Sequence, residues 1–296
     1  MGLLEGKVAL VTGAGGGLGE THALLLAQEG AAVIVNDLGG ARDGSGGGNS
    51  MADQVVEKIK AMGGQAVADY GNVAKEEDAN KMVQTAVEHF GKLDFLIANA
   101  GILRDKAFKN MTNEMWDIVL DVHLRGTYLT VRAAYNQMMN QESGGSIVVT
   151  SSTSGLLGNF GQTNYGAAKA GIAGFARCLF QEGMKYGIRV NVLAPAAWSR
   201  LTEDIFPQGQ NMAELLSPDK VSPLVVWLGS DDAKDVTGRT FLATGNTVQL
   251  LSWQSQVICQ KDNTEGPFSV ADIGEAVREN FDKWPKGIQP TPRPFE

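Results

Sequence analysis

Three side chains near the middle of the chain have the residue types and the spacing of a proton-transfer group. Tyr165 and Lys169 lie four residues apart in a helical pattern, which places them on one helical face. An ammonium group beside the phenol would favour its ionised form, and the phenol could then exchange a proton with a substrate oxygen near neutral pH. Ser152 follows a strand-like segment, where its hydroxyl can hydrogen-bond the same oxygen. The Tyr/Lys pair alone is more typical of an ordinary surface pair, but together with Ser152 and a glycine-rich turn it indicates catalysis.

The glycine-rich turn is the segment TGAGGGLG, from Thr12 to Gly19, between the first strand-like run and the first helical pattern. Glycine suits this place because the turn needs positive φ and because a pyrophosphate can approach the helix amides only where no Cβ intervenes. Asp37 follows the second strand, 18 residues after Gly19. Its carboxylate can accept hydrogen bonds from ribose hydroxyls and would repel a 2′-phosphate, so the sequence predicts NAD rather than NADP.

The elements that must position these residues alternate between strands and helices. Apolar strand-like runs occur at 7–12, 31–36, 65–70, 92–98, 145–151, 188–194 and 239–244. Amphipathic helical patterns lie between them at about 18–29, 51–62, 75–90, 112–139, 164–186 and 211–229. Alternation with mostly apolar strands is typical of an α/β fold, a doubly wound parallel sheet of the Rossmann type with helices on both faces.

The chain is predicted to form a single domain with a C-terminal extension. Residues 1–245 form the dinucleotide-binding and catalytic domain, and residues 246–296 pack on it or on a neighbouring subunit, with a last helix from Ser269 to about Trp284. The low-complexity stretch GGARDGSGGGNS, at 39–50, is expected to be a flexible surface insertion.

Composition limits the classes of partner. The 296 residues include 25 Lys and Arg against 33 Asp and Glu, a net charge of −8, with no basic run. This balance argues against nucleic acid or an anionic membrane as a partner. Cys178 and Cys259 are too few and too far apart for a disulfide framework or a metal site, and the first residues lack a secretory pattern. We therefore expect a reducing, cytoplasmic location.

These motifs together resemble the short-chain dehydrogenase/reductase family, whose pattern is TGxxxGxG, an NAG after the fourth strand, and Ser with YxxxK. Here the pattern reads TGAGGGLG, Asn99-Ala100-Gly101, Ser152, and Tyr165 with Lys169. The resemblance covers residues 5 to about 245 and implies an NAD-dependent oxidoreductase. By resemblance, Tyr165 is the general acid and base, Lys169 lowers its pKa and holds the nicotinamide ribose, and Ser152 orients the substrate carbonyl.

The resemblance also implies a set of residues that bind NAD. Asn99 would line the cofactor channel, Asn72 and Val73 the adenine pocket, and Pro195 the nicotinamide side. The full set expected to bind the cofactor is Gly13, Gly16, Gly17, Leu18, Gly19, Asp37, Leu38, Asn72, Val73, Asn99, Ala100, Gly101, Tyr165, Lys169 and Pro195.

Two positions depart from the family pattern. The fourth catalytic position, usually Asn, is His123 within DVHLRGTY, and Pro195 is followed by Ala196 where Gly is common. Two interpretations of His123 remain open: it supports a water that relays protons to Lys169, or it is a histidine satisfied within the core.

A narrower resemblance concerns the substrate. VNDLGG, the glycine-rich insertion, NAGILRD, VHLRGTY and GNFGQTNYGAAKAG are similar to the (3R)-hydroxyacyl-CoA dehydrogenase unit of peroxisomal multifunctional enzyme type 2, also described as 17β-hydroxysteroid dehydrogenase type 4. That implies oxidation of a (3R)-hydroxyacyl-CoA to the 3-oxoacyl-CoA. The alternatives are a hydroxysteroid dehydrogenase, a 3-oxoacyl-carrier-protein reductase, or, from another class, a catalytically silent dinucleotide-binding scaffold.

The same resemblance implies partners. A homodimer or homotetramer is expected through the helices at 112–139 and 164–186. An acyl-CoA would favour a basic patch, and although no basic run exists, Lys106, Lys109 and Arg200 could converge. Residues 198–210 correspond to a mobile substrate lid in relatives.

Overall fold

The alternating pattern folds as one mixed sheet with helices on both faces. A computed structural model describes residues 2–141, 143–198, 211–253, 255, 257–260 and 266–280. The strands within them are β1 Val8–Thr12, β2 Ala32–Asn36, β3 Gln65–Asp69, β4 Phe95–Ala98, β5 Gly145–Thr150, β6 Ile188–Ala196, β7 Thr240–Thr244 and β8 Thr247–Leu251. The α-helices are α1 Gly17–Gln28, α2 Ser50–Ala61, α3 Glu76–Phe90, α4 Asn113–Leu120, α5 Gly126–Asn140, α6 Thr153–Leu156, α7 Thr163–Gly183, α8 Met212–Leu215, α9 Ser222–Gly229 and α10 Val270–Asn280.

The sheet order places the chemistry at one crevice. Strands run in the order β3-β2-β1-β4-β5-β6-β7-β8, parallel throughout except that β8 pairs antiparallel to β7. The order reverses between β1 and β4, and open α/β sheets bind ligands beside the carboxyl ends of the strands at such a point. The glycine turn after β1 and Asn99 after β4 therefore lie on either side of the crevice. The predicted doubly wound α/β sheet is confirmed.

Two apolar layers cover the sheet. Leu26 of α1, Ile59 of α2 and Val225 of α9 are buried on one face. Met82 of α3 and Met138 of α5 are fully buried on the other face, with residues of α7. Because both layers are closed, the strands are buried on both sides, which accounts for their continuous apolar runs.

Three elements differ from the sequence-based expectation. β8 was not predicted, because four of its five residues are exposed and it carries no buried alternation. The helix predicted at 112–139 is interrupted by a π-helical segment at Asp121–Arg125. The helix predicted at 211–229 is divided into α8, a 3-10 turn at Pro218–Lys220 and α9, because Pro218 and Pro223 each start a new helical segment.

The glycine-rich insertion lies at the surface, with residues 44–50 exposed, and it also contacts the segment that follows β4. Its flexibility stays a prediction. Leu103 donates its backbone N–H to Arg42 O at 3.1 Å, and the Arg104 Nε donates to Asp43 O at 2.6 Å. A Cβ on Gly44 would lie 3.1 Å from the Ile102 side chain. The insertion therefore forms part of a wall around the crevice.

Among the described residues, no helix is both long enough and apolar enough to cross a membrane.

Candidate active site

The turn after β1 depends on glycine at two close approaches. Gly13 has φ of +64°, and a Cβ on it would lie 2.7 Å from the Ala100 Cα. A Cβ on Gly19 would overlap the Gly13 carbonyl and lie 2.8 Å from the Asn99 Nδ2. The Asn99 amide in turn donates to Thr12 O and Gly13 O, each at 3.1 Å. The two sides of the crevice are thus joined by contacts that leave no space for a side chain.

A cavity of about 340 Å³ lies beside this turn and extends past the end of β2. Twelve of the residues predicted to bind the cofactor line it: Gly13, Gly16, Gly17, Leu18, Gly19, Asp37, Leu38, Asn72, Val73, Asn99, Ala100 and Gly101. Tyr165, Lys169 and Pro195 are not among its lining residues. Sequence reasoning missed several others, to which neither motif nor charge pointed: Asn36, Gly40, Ala41, Gly44, Met51, Gly71, Ile102, Ile118 and Val122.

Asp37 has both carboxylate oxygens engaged by backbone amides. Its Oδ2 accepts from Gly15 N at 2.8 Å, and its Oδ1 accepts from Gly39 N at 2.7 Å. These bonds tie the glycine turn to the start of the insertion. Each oxygen retains a further lone pair, and Asp37 lines the cavity, so the residue can still accept hydrogen bonds from ribose hydroxyls as predicted.

The cavity residues fit an adenine dinucleotide. The start of α1 borders the cavity through Gly16, Gly17, Leu18 and Gly19. A helix N-terminus exposed in this way attracts a pyrophosphate. The buried Asn36 Oδ1 lines the same cavity and has no hydrogen-bond partner among the described residues, so it can accept from a ligand N–H. Backbone amides for a pyrophosphate, the Asn36 amide oxygen and the Asp37 carboxylate together form a set of donors and acceptors that suits a nucleotide.

The three predicted catalytic residues come together at the carboxyl ends of β5 and its neighbours. Ser152 caps α6, its Oγ accepting from Ser154 N at 3.1 Å. Lys169 on α7 is buried and its Nζ donates to Thr150 O, the last residue of β5, at 2.6 Å. The Ser151 Oγ donates to Lys169 O at 2.7 Å. These bonds hold the catalytic face of α7 against the end of the strand.

Burial shifts the pKa of each group in this cluster. Burial raises the pKa of Tyr165 to about 12; a hydrogen bond with Ser152 opposes the rise and the charge of Asp105 adds to it. Burial lowers the pKa of Lys169 to about 7. The Lys169 Nζ lies 5.6 Å from the centroid of the Tyr165 ring. The effect expected of Lys169 on the phenol is therefore opposed by desolvation of both groups.

His123 lies directly behind Tyr165. Its ring meets the Tyr165 ring edge-on, with centroids 5.1 Å apart, and its Nε2 lies 2.8 Å from Ile102 O. Burial, followed by the charge of Lys169, lowers the pKa of His123 to about 3, so the ring is neutral. Its buried Nδ1 has no partner among the described residues. A Cβ on Gly101 would overlap this ring, which gives that glycine a packing role.

A polar network connects Ser152 to the segment that follows β4. The Ser154 Oγ donates to the Gln162 Oε1 at 2.7 Å, and the Gln162 Nε2 donates to the Asp105 Oδ2 at 2.6 Å. The buried Asn164 donates to Arg104 O at 3.0 Å. Sequence analysis did not identify Gln162 or Asn164, because single amides carry no recognisable spacing.

Two predicted features are not tested by the cavity. Pro195 pairs with Ala243 between β6 and β7 and is not among the residues that line the cavity, so its place beside the nicotinamide stays a prediction. The expected lid at 198–210 falls outside the described residues apart from Trp198, and Arg200 falls outside them entirely.

The sequence matches one protein family over the part of the chain that carries the glycine turn and the catalytic residues. A family model described as short chain dehydrogenase matches residues 7–203, about two thirds of the chain. The protein belongs to the short chain dehydrogenase family and is an oxidoreductase of that class.

Curated relatives extend the match. A short-chain type dehydrogenase/reductase of Mycobacterium tuberculosis is 50% identical over 279 residues, covering 94% of this chain and 95% of the relative. Peroxisomal multifunctional enzyme type 2 of Mus musculus is 46% identical over 281 residues, covering 94% of this chain but 36% of that enzyme. The hydroxyacyl-CoA dehydrogenase ChsB1 of M. tuberculosis is 40% identical over 260 residues, covering 84% of this chain and 80% of the relative. The chain thus spans about a third of the mouse enzyme.

Solved structures share the fold. A short chain dehydrogenase from Mycobacterium avium superposes with a TM-score of 0.84 at 41% identity, covering 97% of this chain and 98% of that one. A short chain dehydrogenase from Mycobacterium paratuberculosis, solved bound to NAD, gives a TM-score of 0.74 at 27% identity, covering 83% of this chain and 98% of that one.

Proposed function

We propose that the protein oxidises the secondary alcohol of a (3R)-hydroxyacyl-CoA to the ketone, with NAD as cofactor. The observation that carries the proposal is the cluster of Ser152, Tyr165 and Lys169 at the strand ends of a sheet whose first turn is built for a dinucleotide. The relative named hydroxyacyl-CoA dehydrogenase, the match to the multifunctional enzyme and the NAD-bound relative support the substrate and cofactor.

The residues of this chain have separate tasks in the proposed reaction. The glycine turn, Asp37 and Asn99 would hold NAD in the cavity, where the nicotinamide would supply the acceptor for the hydride of the alcohol carbon. Tyr165 removes the hydroxyl proton as the base, and the Ser152 hydroxyl hydrogen-bonds the same substrate oxygen. The Lys169 ammonium stabilises negative charge on the phenol and the substrate oxygen, and it holds the nicotinamide ribose together with Tyr165. Pro195 borders the nicotinamide in this scheme.

His123 is proposed as a positioning residue for Tyr165. Its edge supports the Tyr165 ring, and its Nε2 lies 2.8 Å from Ile102 O and 3.1 Å from Ile102 N. In the tautomer with the proton on Nε2, that nitrogen donates to Ile102 O, and the Nδ1 lone pair can accept from a water in a relay to Lys169. This proposal combines the two interpretations of His123, as a core histidine and as a support for a water relay, because Nε2 has a partner in the core and Nδ1 has none among the described residues.

NAD reduction measured across a substrate panel tests the function. The panel pairs (3R)- and (3S)-hydroxyacyl-CoAs of several chain lengths with hydroxysteroids, and the expected result is the highest kcat/KM for a (3R)-hydroxyacyl-CoA. A steroid that is turned over faster than every acyl-CoA contradicts the substrate class. An inactive wild type, with NAD bound, favours the silent scaffold.

One alternative has a specific observation behind it. The 3-oxoacyl-[acyl-carrier-protein] reductase of Synechocystis is 37% identical over 254 residues, covering 99% of that enzyme. Reduction of an acyl-carrier-protein substrate with NADPH, faster than oxidation of any acyl-CoA, would favour this function. The cytoplasmic location and the homodimer or homotetramer remain predictions.

A further inference from the structure

The two segments that flank the catalytic residues carry an exposed aromatic and cationic rim, made of Lys106, Phe108, Lys109 and Phe160. The Phe108 side chain is 73% exposed and that of Phe160 is 91% exposed, while both lysines are exposed. Exposed aromatic rings grouped with cationic side chains are typical of surfaces that bind a ligand or a partner. None of the four residues lines the cofactor cavity.

The rim is a joined structure rather than two separate loops. Lys106 donates its backbone N–H to Gly161 O at 2.8 Å, which sets Lys106 beside the residue that follows Phe160. Phe108 and Lys109 belong to a 3-10 turn at Phe108–Asn110, closed by Asn110 N donating to Ala107 O at 2.8 Å. The aromatic rings and the ammonium groups are therefore presented on neighbouring segments of fixed backbone.

The same network that shapes the active site holds the rim in place. Gln162 connects Asp105, the residue before Lys106, to Ser154, whose backbone N–H is bonded to the Ser152 Oγ. Asn164 accepts from Tyr165 N at 2.8 Å and donates to Arg104 O at 3.0 Å. The segments that carry the rim are therefore hydrogen-bonded to the segments that carry Ser152 and Tyr165.

The segment of the rim that follows β4 carries an excess of positive charge. Residues 104–109 contain Arg104, Lys106 and Lys109 against the exposed Asp105, and Arg104 lies 3.8 Å from Asp43 of the insertion. Among the described residues, Lys106 and Lys109 form no ion pair with an acidic side chain, on a chain whose net charge is −8. A polyanionic substrate approaching such a chain needs a local cluster of this kind.

We propose that the rim formed by Lys106, Phe108, Lys109 and Phe160 is a subsite for the nucleotide part of a coenzyme A thioester. The adenine stacks on an exposed ring, and the two ammonium groups bind the phosphates. The inference rests on the proposed function and deepens it, because it assigns the part of the substrate that does not react.

Truncated substrates test the subsite. The wild type and two double variants, Lys106→Gln/Lys109→Gln and Phe108→Ala/Phe160→Ala, are compared on a 3-hydroxyacyl-CoA and on the N-acetylcysteamine thioester of the same acid. We expect KM for the CoA thioester to rise at least about tenfold in each variant. For the truncated thioester, kcat and KM should stay within about twofold of the wild-type values. The control Lys81→Gln/Lys234→Gln removes two exposed lysines outside the rim and leaves both substrates unaffected.

Two results would overturn the subsite. Equal loss on both thioesters would mean that the rim shapes the reacting site, and no loss on either would mean that it binds nothing in the reaction. A change of oligomeric state in the phenylalanine variant, measured by light scattering together with equal loss on both substrates, would assign the rim to contact between copies of the chain.

Direct binding separates this inference from the proposed function. If the wild type oxidises no thioester, the proposed function fails, and calorimetric titration with free coenzyme A then decides the subsite. Binding by the wild type that is lost in both double variants supports it, and absence of binding by the wild type overturns it. An acyl-pantetheine substrate that responds to the variants as strongly as the CoA thioester would assign the site to a carrier-bound pantetheine instead.

Discussion

The two halves of the site treat their polar groups differently. In the cofactor half, Asp37 and Asn99 hydrogen-bond the backbone of the turn that they border, at distances between 2.7 and 3.1 Å. In the catalytic half, Tyr165, Lys169 and His123 are held by burial at pKa values of about 12, 7 and 3. In the cofactor half, side chains fix the backbone around the cavity. In the catalytic half, burial shifts the pKa values of the side chains away from their ordinary values.

The difference shows what each half requires. Binding a large cofactor requires a preformed surface, and close backbone contacts supply it. Such contacts leave no space for a side chain in place of the glycines. Proton transfer requires a group that can change its charge, and desolvation brings the pKa of Lys169 to about 7 while it raises that of Tyr165, at the expense of stability. Variants in the two halves should therefore fail in different ways: catalytic variants in rate, cofactor-half variants in binding.

The largest effect is expected in the catalytic half. Tyr165→Phe removes the hydroxyl that exchanges the proton, and kcat should fall about 10²- to 10⁴-fold, while the dissociation constant for NAD changes little. The matched control is Tyr128→Phe, which removes an exposed phenol from α5. Steady-state kinetics and NAD titration give both numbers, and a fall in kcat of less than about threefold would rule out Tyr165 as the base.

The second prediction uses the pH dependence of stability. Lys169 has a pKa of about 7 in the folded protein, below its ordinary value of 10.5, so between these values the unfolded chain binds a proton that the folded chain does not. Stability from this residue therefore rises with pH across that window, and below pH 7 the full penalty of burying the charge is present. Lys169→Met removes this dependence.

The stability gain of Lys169→Met over wild type should shrink by roughly 3 kcal/mol between pH 6.5 and 9.5 in urea unfolding. His123, with a folded pKa of about 3, does not titrate in this range, and the phenol of Tyr165, at about 12, is present in both proteins. A difference that is constant with pH would show that Lys169 is charged in the folded state throughout.

The third prediction concerns the shape of the cofactor half. Gly19→Ala forces a methyl group into the Gly13 carbonyl, so we expect a loss of about 1–3 kcal/mol in unfolding free energy and at least tenfold weaker NAD binding. Gly48→Ala is the control, since a Cβ there meets nothing within 4 Å. Equal behaviour of the two variants in thermal unfolding and NAD titration would mean that the turn tolerates a side chain.

The fourth prediction tests Asp37 in the same half. Asp37→Asn removes the negative charge that opposes a 2′-phosphate, and the ratio of kcat/KM for NAD to that for NADP should fall about tenfold. Asp232→Asn, at an exposed position on the far side of α9, serves as the control for net charge. Preference for NADP in the wild type would contradict the assignment of the residue.

The smallest effect is expected for His123. His123→Asn keeps a polar group but loses the edge contact with Tyr165, so kcat should fall about three- to tenfold, with the acid limb of the pH profile displaced. His123→Phe keeps the ring without its nitrogens and separates packing from hydrogen bonding. A positioning role is supported if the substitutions change kcat more than KM and if the Asn variant is faster than the Phe variant. A pH profile of kcat that is the same in the variants and the wild type contradicts it.

The sequence predicted most of the elements that bury apolar surface, because periodicity reports burial. Seven strands were predicted in this way, whereas β8 was missed since its side chains are exposed. The glycine turn was predicted from residue type and position, and the Ser152, Tyr165 and Lys169 cluster from spacing taken together with that turn and the family resemblance. The network through Gln162, the engagement of Asp37 by two amides and the packing of the insertion were not, since hydrogen bonds between residues far apart in the chain leave no pattern along it.

The π-helical segment at Asp121–Arg125 has a consequence for the phase of the helix that contains it. Val119 before the segment and Val131, Ala134 and Met138 after it are all buried, at separations of 12, 15 and 19 residues. A continuous α-helix repeats its face at 11, 14 and 18 residues, one fewer in each case. The π-helical segment, with its wider turn, therefore keeps Val119 on the same buried side as these three residues. The same segment carries His123, whose ring meets that of Tyr165.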